Sequence, residues 1–530
     1  LEPIYCCIYV EKNCVMATFV APAPKGLVKD TNNTVLPPEF YSEAANVRFA
    51  DNAAKKIKGH DQVFGTPTVA PYFVINWASG TNIFWYYAGT AKIYRQSGSS
   101  THTNFTRASG GDYSTNLTTV GNWTGTIYNG LPILCNGVDD PQVLATVGAS
   151  AFSDLPNWPS STTCKTIKAF GNYLMALNLT ESGTELPNKV RWGDAAENFA
   201  LPSSWTASAT NDAGSVTIGD ESDFIVDGLA LKQSFIIYKE NSTWLAQYIG
   251  GNLVFSFQKL FNDTGVLTRN CIAEFDGNHF VVTQGDLIVH NGVSKKSVAS
   301  DIVKRQLFDD INDAYFNLTF CTHNVQQSEM WVCYPSIGSQ YCNKALIYNY
   351  VNNSFTFRDL PNIYHIGPGI VDPGSTSVVW SGQSATWTAY SGTWGDRQYN
   401  PTERSILMAG VADTKLYRGD FGQQFAGENY ITTIERKGLT LDGNTNTVKQ
   451  VRKLTPKIAG TGKCTISVGS SMSPNGTYTF TPSQEFTPNT QNKVDCRSTG
   501  KFIAVRFQHT EDSTFELNGY DLEYEVIGER

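Results

Sequence analysis

The sequence predicts an all-β protein: a six-bladed β-propeller with an additional antiparallel β-sandwich or barrel platform domain. Three observations carry this. Helical periodicity is almost absent, and short runs of Val, Ile, Tyr, Phe, Trp and Thr are punctuated by Gly, Asn, Asp and Pro throughout. From about residue 70 to 420 such runs return at a blade-like interval. From about residue 430 the texture changes to near-strict alternation, the mark of antiparallel strands with one wet face.

Composition narrows the functional classes. The 530 residues carry 40 Lys and Arg against 48 Asp and Glu, a formal net charge of −8. Charged residues make up 17% and aromatic residues 12%. A disordered chain has few aromatics and a high charge density, and a coiled coil is about half Ala, Glu, Lys, Leu and Arg. Both are excluded, as is a nucleic-acid binder relying on general basicity.

Along the chain, residues 1–15 differ in texture from the rest. They hold Cys6, Cys7 and Cys14, and Met16-Ala17-Thr18 then opens a segment that reads like a protein start. The fifteen residues read either as an extension that contributes little to the fold or as an ordered N-terminal strand. Residues 16–69 form an extended entry arm, because Pro22, Pro24, Pro37 and Pro38 disfavour regular structure.

Residues 70–429 are assigned to the propeller. Turns near Gly80, Asn129-Gly130, Gly171-Asn172, Lys232-Gln233, Gly277-Asn278 and Glu329 each lead into an apolar run. Their starts are spaced 50, 41, 62, 44 and 52 residues apart, close to the period of about 40–50 residues of a four-stranded blade. The count gives six blades, closed by Ile406-Leu407-Met408-Ala409. A pair of stacked sandwiches would also give many short strands, but the apolar middle strands favour blades buried on both faces. The best helical candidate is Val298 to Asp313. Residues 430–530 form the C-terminal platform domain, with alternation in Cys464–Val468 and Thr477–Phe480.

No stretch reaches the roughly 18 apolar residues of a membrane span, and the N-terminal residues lack the basic start of a signal peptide. The expectation is a chain made in a cytoplasm, its ten Asn-x-Ser/Thr sequons being a by-product of Asn- and Thr-rich turns.

A search for chemistry assigns no catalytic, cofactor-binding or metal-binding residue. Nucleophile elbow, phosphate loop, zinc-protease and dinucleotide motifs are missing. Cys321, His323, Cys333 and Cys342 have no standard zinc spacing, and the three cysteines read as buried free thiols on adjacent strands. His279 and His290, eleven residues apart, are placed to meet on neighbouring strands. Ser391-Gly392-Thr393-Trp394-Gly395-Asp396 has the composition of a sialidase aspartate box in the wrong order. Asp139-Asp140 and Asp309-Asp310 are acidic pairs, but acidic turn residues are common; a two-carboxylate glycosidase site needs no sequence motif and so stays open at this stage. Trp77, Phe84, Trp85, Tyr86 and Tyr87 read as core before they read as a stacking platform.

Several short stretches, in this order, resemble the tail nozzle proteins of short-tailed bacteriophages, relatives of tail tubular protein B and of the packaged-DNA stabilisation proteins. They are Leu36-Pro37-Pro38-Glu39-Phe40-Tyr41-Ser42-Glu43-Ala44-Ala45-Asn46-Val47-Arg48-Phe49, then Asn136-Gly137-Val138-Asp139-Asp140-Pro141, Arg191-Trp192-Gly193-Asp194 and Ile237-Tyr238-Lys239-Glu240-Asn241-Ser242. Glu329-Met330-Trp331, Ser498-Thr499-Gly500-Lys501-Phe502 and Leu517-Asn518-Gly519-Tyr520 complete the series. The resemblance covers roughly residues 20–530. It implies a non-enzymatic virion component without cofactor: a homo-hexameric nozzle below the adaptor ring, with tail fibres or needle and plug proteins as neighbours. Genomic double-stranded DNA would be retained and then released through its channel, without sequence-specific binding. A mildly acidic chain suits such a conduit, since Lys and Arg contacts to phosphate would hold the cargo. The competing readings are a receptor- or glycan-binding tail protein using the propeller rim, and a polysaccharide hydrolase.

Overall fold

The computed structural model describes residues 16–79, 82–114, 123–146, 148–219, 222–371 and 404–529. The expectations for residues 1–15, Gly80 and Ser391–Asp396 lie outside them. Two compact units are present. One comprises the chain up to Ile57, Ser354–Thr356 and the chain from Asn429; the other comprises Lys58–Asn353 and Phe357–Glu428.

The second unit is a propeller. Blade 1 runs from an inner strand Phe73–Ser79 to an outer strand Thr101–Asn104, blade 2 from Thr124–Tyr128 to Ser153–Asp154, and blade 3 from Thr162–Phe170 to Gly214–Thr217. Blade 4 runs from Ile225–Leu231 to Phe255–Phe261 and blade 5 from Ile272–Phe275 to Lys295–Ser297. Blade 6 starts at Phe320–Asn324 and ends in the front of a long strand, Ser354–Gly369. The back of that strand opens blade 7, which continues through Ser405–Gly410 and Lys415–Gly419 to His60–Val63.

The propeller class is as the sequence predicts, but the four-strand groups number seven among the described residues, where the spacing gave six. The reason is physical. Blades 6 and 7 share one strand, so no Gly or Asn turn separates them. The outer strand of blade 7 comes from residues far upstream. Ile406–Ala409, expected as a closing element, lies in its second strand.

Hydrogen bonds run from blade to blade around the ring. Trp77 Nε1 donates to the Gly130 carbonyl at 2.7 Å, Ala169 N–H to Thr126 Oγ1 at 3.3 Å, and Asn178 Nδ2 to the Ile225 carbonyl at 2.7 Å. Cys321 N–H donates to the Asn270 carbonyl at 2.8 Å. Val74 N–H meets His365 Nδ1 at 3.4 Å, joining blade 7 to blade 1. The second strands are apolar on both faces because both faces are covered: Phe235–Tyr238, Phe280–Val282 and Met330–Tyr334 are all buried. Each large side chain so placed contributes about 1.5–3 kcal/mol. Trp77, Trp85, Tyr86 and Tyr87 are buried likewise, in two clusters on opposite faces of blade 1.

The turns follow from sequence. Asn129 (φ 48°) with Gly130 (φ 81°), and Asp276 (φ 46°) with Gly277 (φ 71°), place two residues at positive φ, as tight hairpins require. The expected helix at 298–313 shrinks to Lys304–Asp310. Asp301 sits at φ 59°, Val303 offers no side-chain cap, and Ile311 is already extended, so only two turns survive.

The first unit is an antiparallel sandwich. One sheet orders Val494–Gly500, Thr447–Gly460, Phe515–Glu529, Ala53–Lys56 and Val47–Ala50, with Ala17–Val20 beside Phe515–Glu529. The facing layer orders Glu43–Ala45, Thr432–Leu439, Phe502–His509 and Cys464–Ser471. Val451, Leu454, Leu517 and Leu522 from one sheet and Ile434, Ile466, Val468 and Val505 from the other are buried between them, and the Phe507 and Tyr520 rings lie 5.4 Å apart. Residues 16–69 are therefore more than an extended arm. Their prolines fall between short strands, four of which enter this sandwich and one the propeller. Buried Arg436 holds the path between strands, donating Nη1 to the Asn33 carbonyl at 2.9 Å and Nη2 to that of Leu36.

The propeller ring is closed at Gly59–His60. Gly59 N–H donates to the Gly422 carbonyl at 3.0 Å, and the Gly59 carbonyl accepts from Phe421 N–H at 3.1 Å and from buried Arg358 Nη2 at 2.9 Å. The His60 ring stacks on Phe425 at 4.6 Å and meets Tyr417 edge-on at 5.2 Å. A Cβ on Gly59 would lie 1.7 Å from the Gln424 carbonyl oxygen, which backbone cannot relieve cheaply. Gly59→Ala should cost about 1–3 kcal/mol and lower the first thermal transition by several degrees. Gly148→Ala, at an open position, should leave it unchanged; equal melts for the two variants would disprove the closure role.

Candidate functional site

Among the described residues the propeller axis gathers a cluster of polar groups, at the place where an enzyme or binding propeller would hold a ligand. The inner strands narrow the space there, so side chains from non-adjacent blades meet. Arg269, just ahead of blade 5, donates Nη1 to the Lys165 carbonyl of blade 3 at 2.9 Å. Asn270 Nδ2 reaches the Trp123 carbonyl at blade 2, 3.3 Å away. Asp227 of blade 4 accepts from Asn270 N–H at 2.9 Å and Gly228 N–H at 2.8 Å, and faces the Lys168 ammonium at 3.8 Å. Burial lowers the Arg269 pKa against the raising effect of Cys135 and Asp227. His365 lies between the Phe73 and Phe320 rings, its pKa lowered to about 3 by burial and then by Lys168. This arrangement ties blades 2 to 5 to one another across the axis. Sequence reasoning missed these residues. The only signal was charge inside otherwise apolar inner strands, as at Lys168 and Asp227.

The pairing of His279 with His290 is real: they are cross-strand partners in blade 5. Tyr238 of blade 4 inserts its hydroxyl between them, 2.7 Å from His279 Nδ1 and 2.5 Å from His290 Nε2. The outer contacts set the tautomers. His290 Nδ1 accepts from Gly292 N–H at 3.2 Å, so its Nε2 carries the proton and donates to Tyr238. Tyr238 then donates to His279 Nδ1, and His279 Nε2–H donates to the Ala230 carbonyl at 2.9 Å. The result is a one-way chain with every group satisfied and both imidazoles neutral. Burial lowers His279 to about 4 and His290 to about 3, and raises the Tyr238 hydroxyl. The chain fastens blade 4 to blade 5.

The other candidates are held in structural roles. Asp139 accepts from Arg107 Nη2 at 3.0 Å, Asn136 Nδ2 at 2.7 Å and Ser114 N–H at 2.9 Å. Burial opposes its ionisation, but these hydrogen bonds and the Arg107 charge hold the carboxyl below its usual range. Asp140 is shifted up by burial and by Asp154. Asp310 accepts from Lys344 at 2.9 Å and Tyr334 at 3.0 Å, while Asp309 is exposed. Cys321, Cys333 and Cys342 are buried free thiols, and His323 contacts the Tyr350 hydroxyl at 3.1 Å. Among the described residues no three His, Cys, Asp or Glu side chains are grouped to hold a metal ion, and no helix is long and apolar enough to cross a membrane.

No family model matches the chain, and no curated protein matches it. Solved structures similar to it include apo AztD from Citrobacter koseri, at 11% identity and a TM-score of 0.31, covering 57% of this chain and 78% of that one. An ancestral GH74 enzyme gives 10% identity and a TM-score of 0.37, over 77% and 52% of the two chains. An exo-β-1,3-galactanase from Phanerochaete chrysosporium gives 8% and 0.26, over 88% and 100%. Scores of this size carry no argument about activity.

The buried imidazoles make the site testable in two ways. Tyr238→Phe leaves His290 Nε2–H without an acceptor and His279 Nδ1 without a donor, so it should cost about 1–3 kcal/mol, read as a lower melting temperature; an unchanged melt would refute the chain. All seven histidines have pKa values lowered, mainly by burial, with His60 at about 3. Below the ordinary value of about 6.5 the unfolded chain binds more protons than the folded one. Stability should therefore be full above about pH 6.5 and fall towards pH 3–4, with each buried histidine adding a slope of ~1.4 kcal/mol per pH unit. Melts from pH 7 to 4 test this, and a flat profile would contradict it.

Proposed function

We propose that the chain is a structural subunit of a short bacteriophage tail, a nozzle protomer that assembles as a hexameric ring beneath the adaptor and acts without catalysing a reaction. The observation that supports this most is where the family-like stretches meet. The opening stretch, Leu36–Phe49, and the closing stretches around Ser498–Phe502 and Leu517–Tyr520 are more than 400 residues apart in sequence. Glu43–Ala45 and Phe502–His509 flank the same strand, Thr432–Leu439. Val47–Ala50 pairs with Ala53–Lys56, and Leu517 pairs with Ala54 of that hairpin. Three of the seven stretches, far apart in sequence, thus meet in one sandwich, while the other four fall in blades 2, 3, 4 and 6 of the propeller.

The axis narrows how such a ring would conduct DNA. Side chains at hydrogen-bond distance bridge blades 2, 3, 4 and 5, leaving no passage there for a duplex. The conduit must then lie between protomers. A net charge of −8 would disfavour phosphate binding along it.

Negative-stain imaging of the purified protein, alone and with its adaptor, tests the proposal. A six-fold ring with a central channel is the expected result. A protein that stays monomeric with the adaptor, or that turns over surface polysaccharide, would overturn it.

A further inference from the structure

We propose that Cys135 and Cys164 form a modification site, at which a small peroxide oxidises the two thiols to a disulfide joining blade 2 to blade 3. Cys135 ends the second strand of blade 2, Leu131–Cys135, and Cys164 lies in the first strand of blade 3, Thr162–Phe170. Both belong to one apolar cluster shared by these two blades. Their sulfurs lie 3.7 Å apart, in contact across the blade boundary. A disulfide bond is about 2.05 Å long, so the remaining gap is small and is divided between two side chains.

The hydrogen bonds assign the two thiols different roles. Cys135 S–H donates to the Cys164 carbonyl at 3.0 Å, which leaves Cys164 S–H to donate to the Cys135 sulfur. The bond from Cys164 favours the Cys135 thiolate and holds its pKa below the usual range against burial, with further help from the Gly137 backbone and the Arg269 and Lys165 charges. Burial pushes Cys164 up. Cys135 is therefore the attacking sulfur and Cys164 the resolving one.

The reaction balances with the peroxide alone. The Cys135 thiolate attacks one peroxide oxygen, the O–O bond breaks, and a sulfenic acid forms as hydroxide departs and takes up the thiol proton to give water. Cys164 then loses its proton and attacks the Cys135 sulfur. The S–S bond forms, the S–O bond breaks, and a second water leaves. The two sulfurs give up two electrons in all, and the peroxide accepts both.

Size selects the oxidant. Each cysteine is 1% exposed, so an oxidant as large as a tripeptide disulfide has no approach to the folded propeller, whereas hydrogen peroxide is little larger than water. The new bond closes a loop of roughly 30 residues, which restrains the unfolded chain and fastens two blades covalently. Such bonds persist in oxidising surroundings, virion surfaces among them, and are rare in a reducing cytoplasm. On the nozzle reading, the propeller is made with free thiols and stiffened after release; the chemistry itself does not rest on that reading.

The test is a peptide map of the full chain after treatment with hydrogen peroxide and blocking of the remaining thiols. No Lys or Arg lies between the two cysteines, so trypsin leaves both in one peptide, while chymotrypsin, cutting after Phe152, separates them. The expected result is a linked pair of chymotryptic peptides, one with Cys135 and one with Cys164, which dithiothreitol parts. The melting temperature should rise by a few degrees on oxidation and return on reduction, and Cys135→Ser and Cys164→Ser should each abolish the rise. Recovery of both cysteines as blocked thiols or as separate sulfinic acids would overturn the proposal, as would an equal rise in the serine variants. The peptide map reads the wild type, so it decides the question whether or not a variant folds. A linked pair in a protein that stays monomeric with its adaptor would support this site while removing the nozzle reading.

Discussion

The propeller depends on one junction, the pairing of His60–Val63 with Lys415–Gly419. It brings together residues about 350 positions apart. Closing so long a loop costs roughly 5 kcal/mol plus a constant in chain entropy. A four-residue ladder with net gains of about 1 kcal/mol per hydrogen bond does little more than offset that. The surplus must come from the corner beside it, where Gly59, His60, Arg358, Trp331 and Phe425 pack together. The Arg358 guanidinium lies over the Trp331 ring at 4.7 Å and within 3.9 Å of Asp420, completely buried. An unpaired cation there would be expensive, so the corner forms as a whole or not at all.

The same logic of buried polar groups runs through both units. The Tyr238–His279–His290 chain, the Arg269–Asn270–Asp227 crossing and the Arg436 anchor each spend hydrogen-bonding capacity on holding chain segments to one another. In a low-dielectric interior such bonds fix position more sharply than apolar contact does, provided that every member is satisfied. The imidazoles meet that condition by staying neutral. A scaffold that holds its shape under load is a coherent use for this chemistry, and it agrees with a structural role for the chain.

Much of the architecture was legible in the sequence because it is written locally. Asn129-Gly130 and Gly277 mark hairpins through their φ requirement, and runs such as Phe235–Tyr238 mark strands covered on both faces. What was not legible is non-local. Ser354–Gly369 serves two blades, and nothing in its own residues says so. His60–Val63 reads as part of a proline-rich arm because its partner lies at the far side of the propeller. The axial cluster was hidden for the same reason: Arg269, Asn270 and Asp227 are unremarkable singly and meaningful only once the ring brings them together. The pairing of His279 with His290 was foreseeable from hairpin spacing, whereas Tyr238 between them belongs to another blade.

The route of the chain also bears on its synthesis. Blade 7 waits for Lys415–Gly419 long after His60–Val63 has left the ribosome, an interval of roughly 20–70 s at ordinary elongation rates. The sandwich waits longer still, since Ala17–Val20 and the hairpin of Val47–Ala50 with Ala53–Lys56 have no sheet to join until Phe515–Glu529 emerges. The sandwich therefore completes last, and a polypeptide cut short by a hundred residues lacks most of it. Nested threading of this kind is a built-in inspection step: an incomplete translation product offers no finished surface by which it could enter, and spoil, a larger assembly.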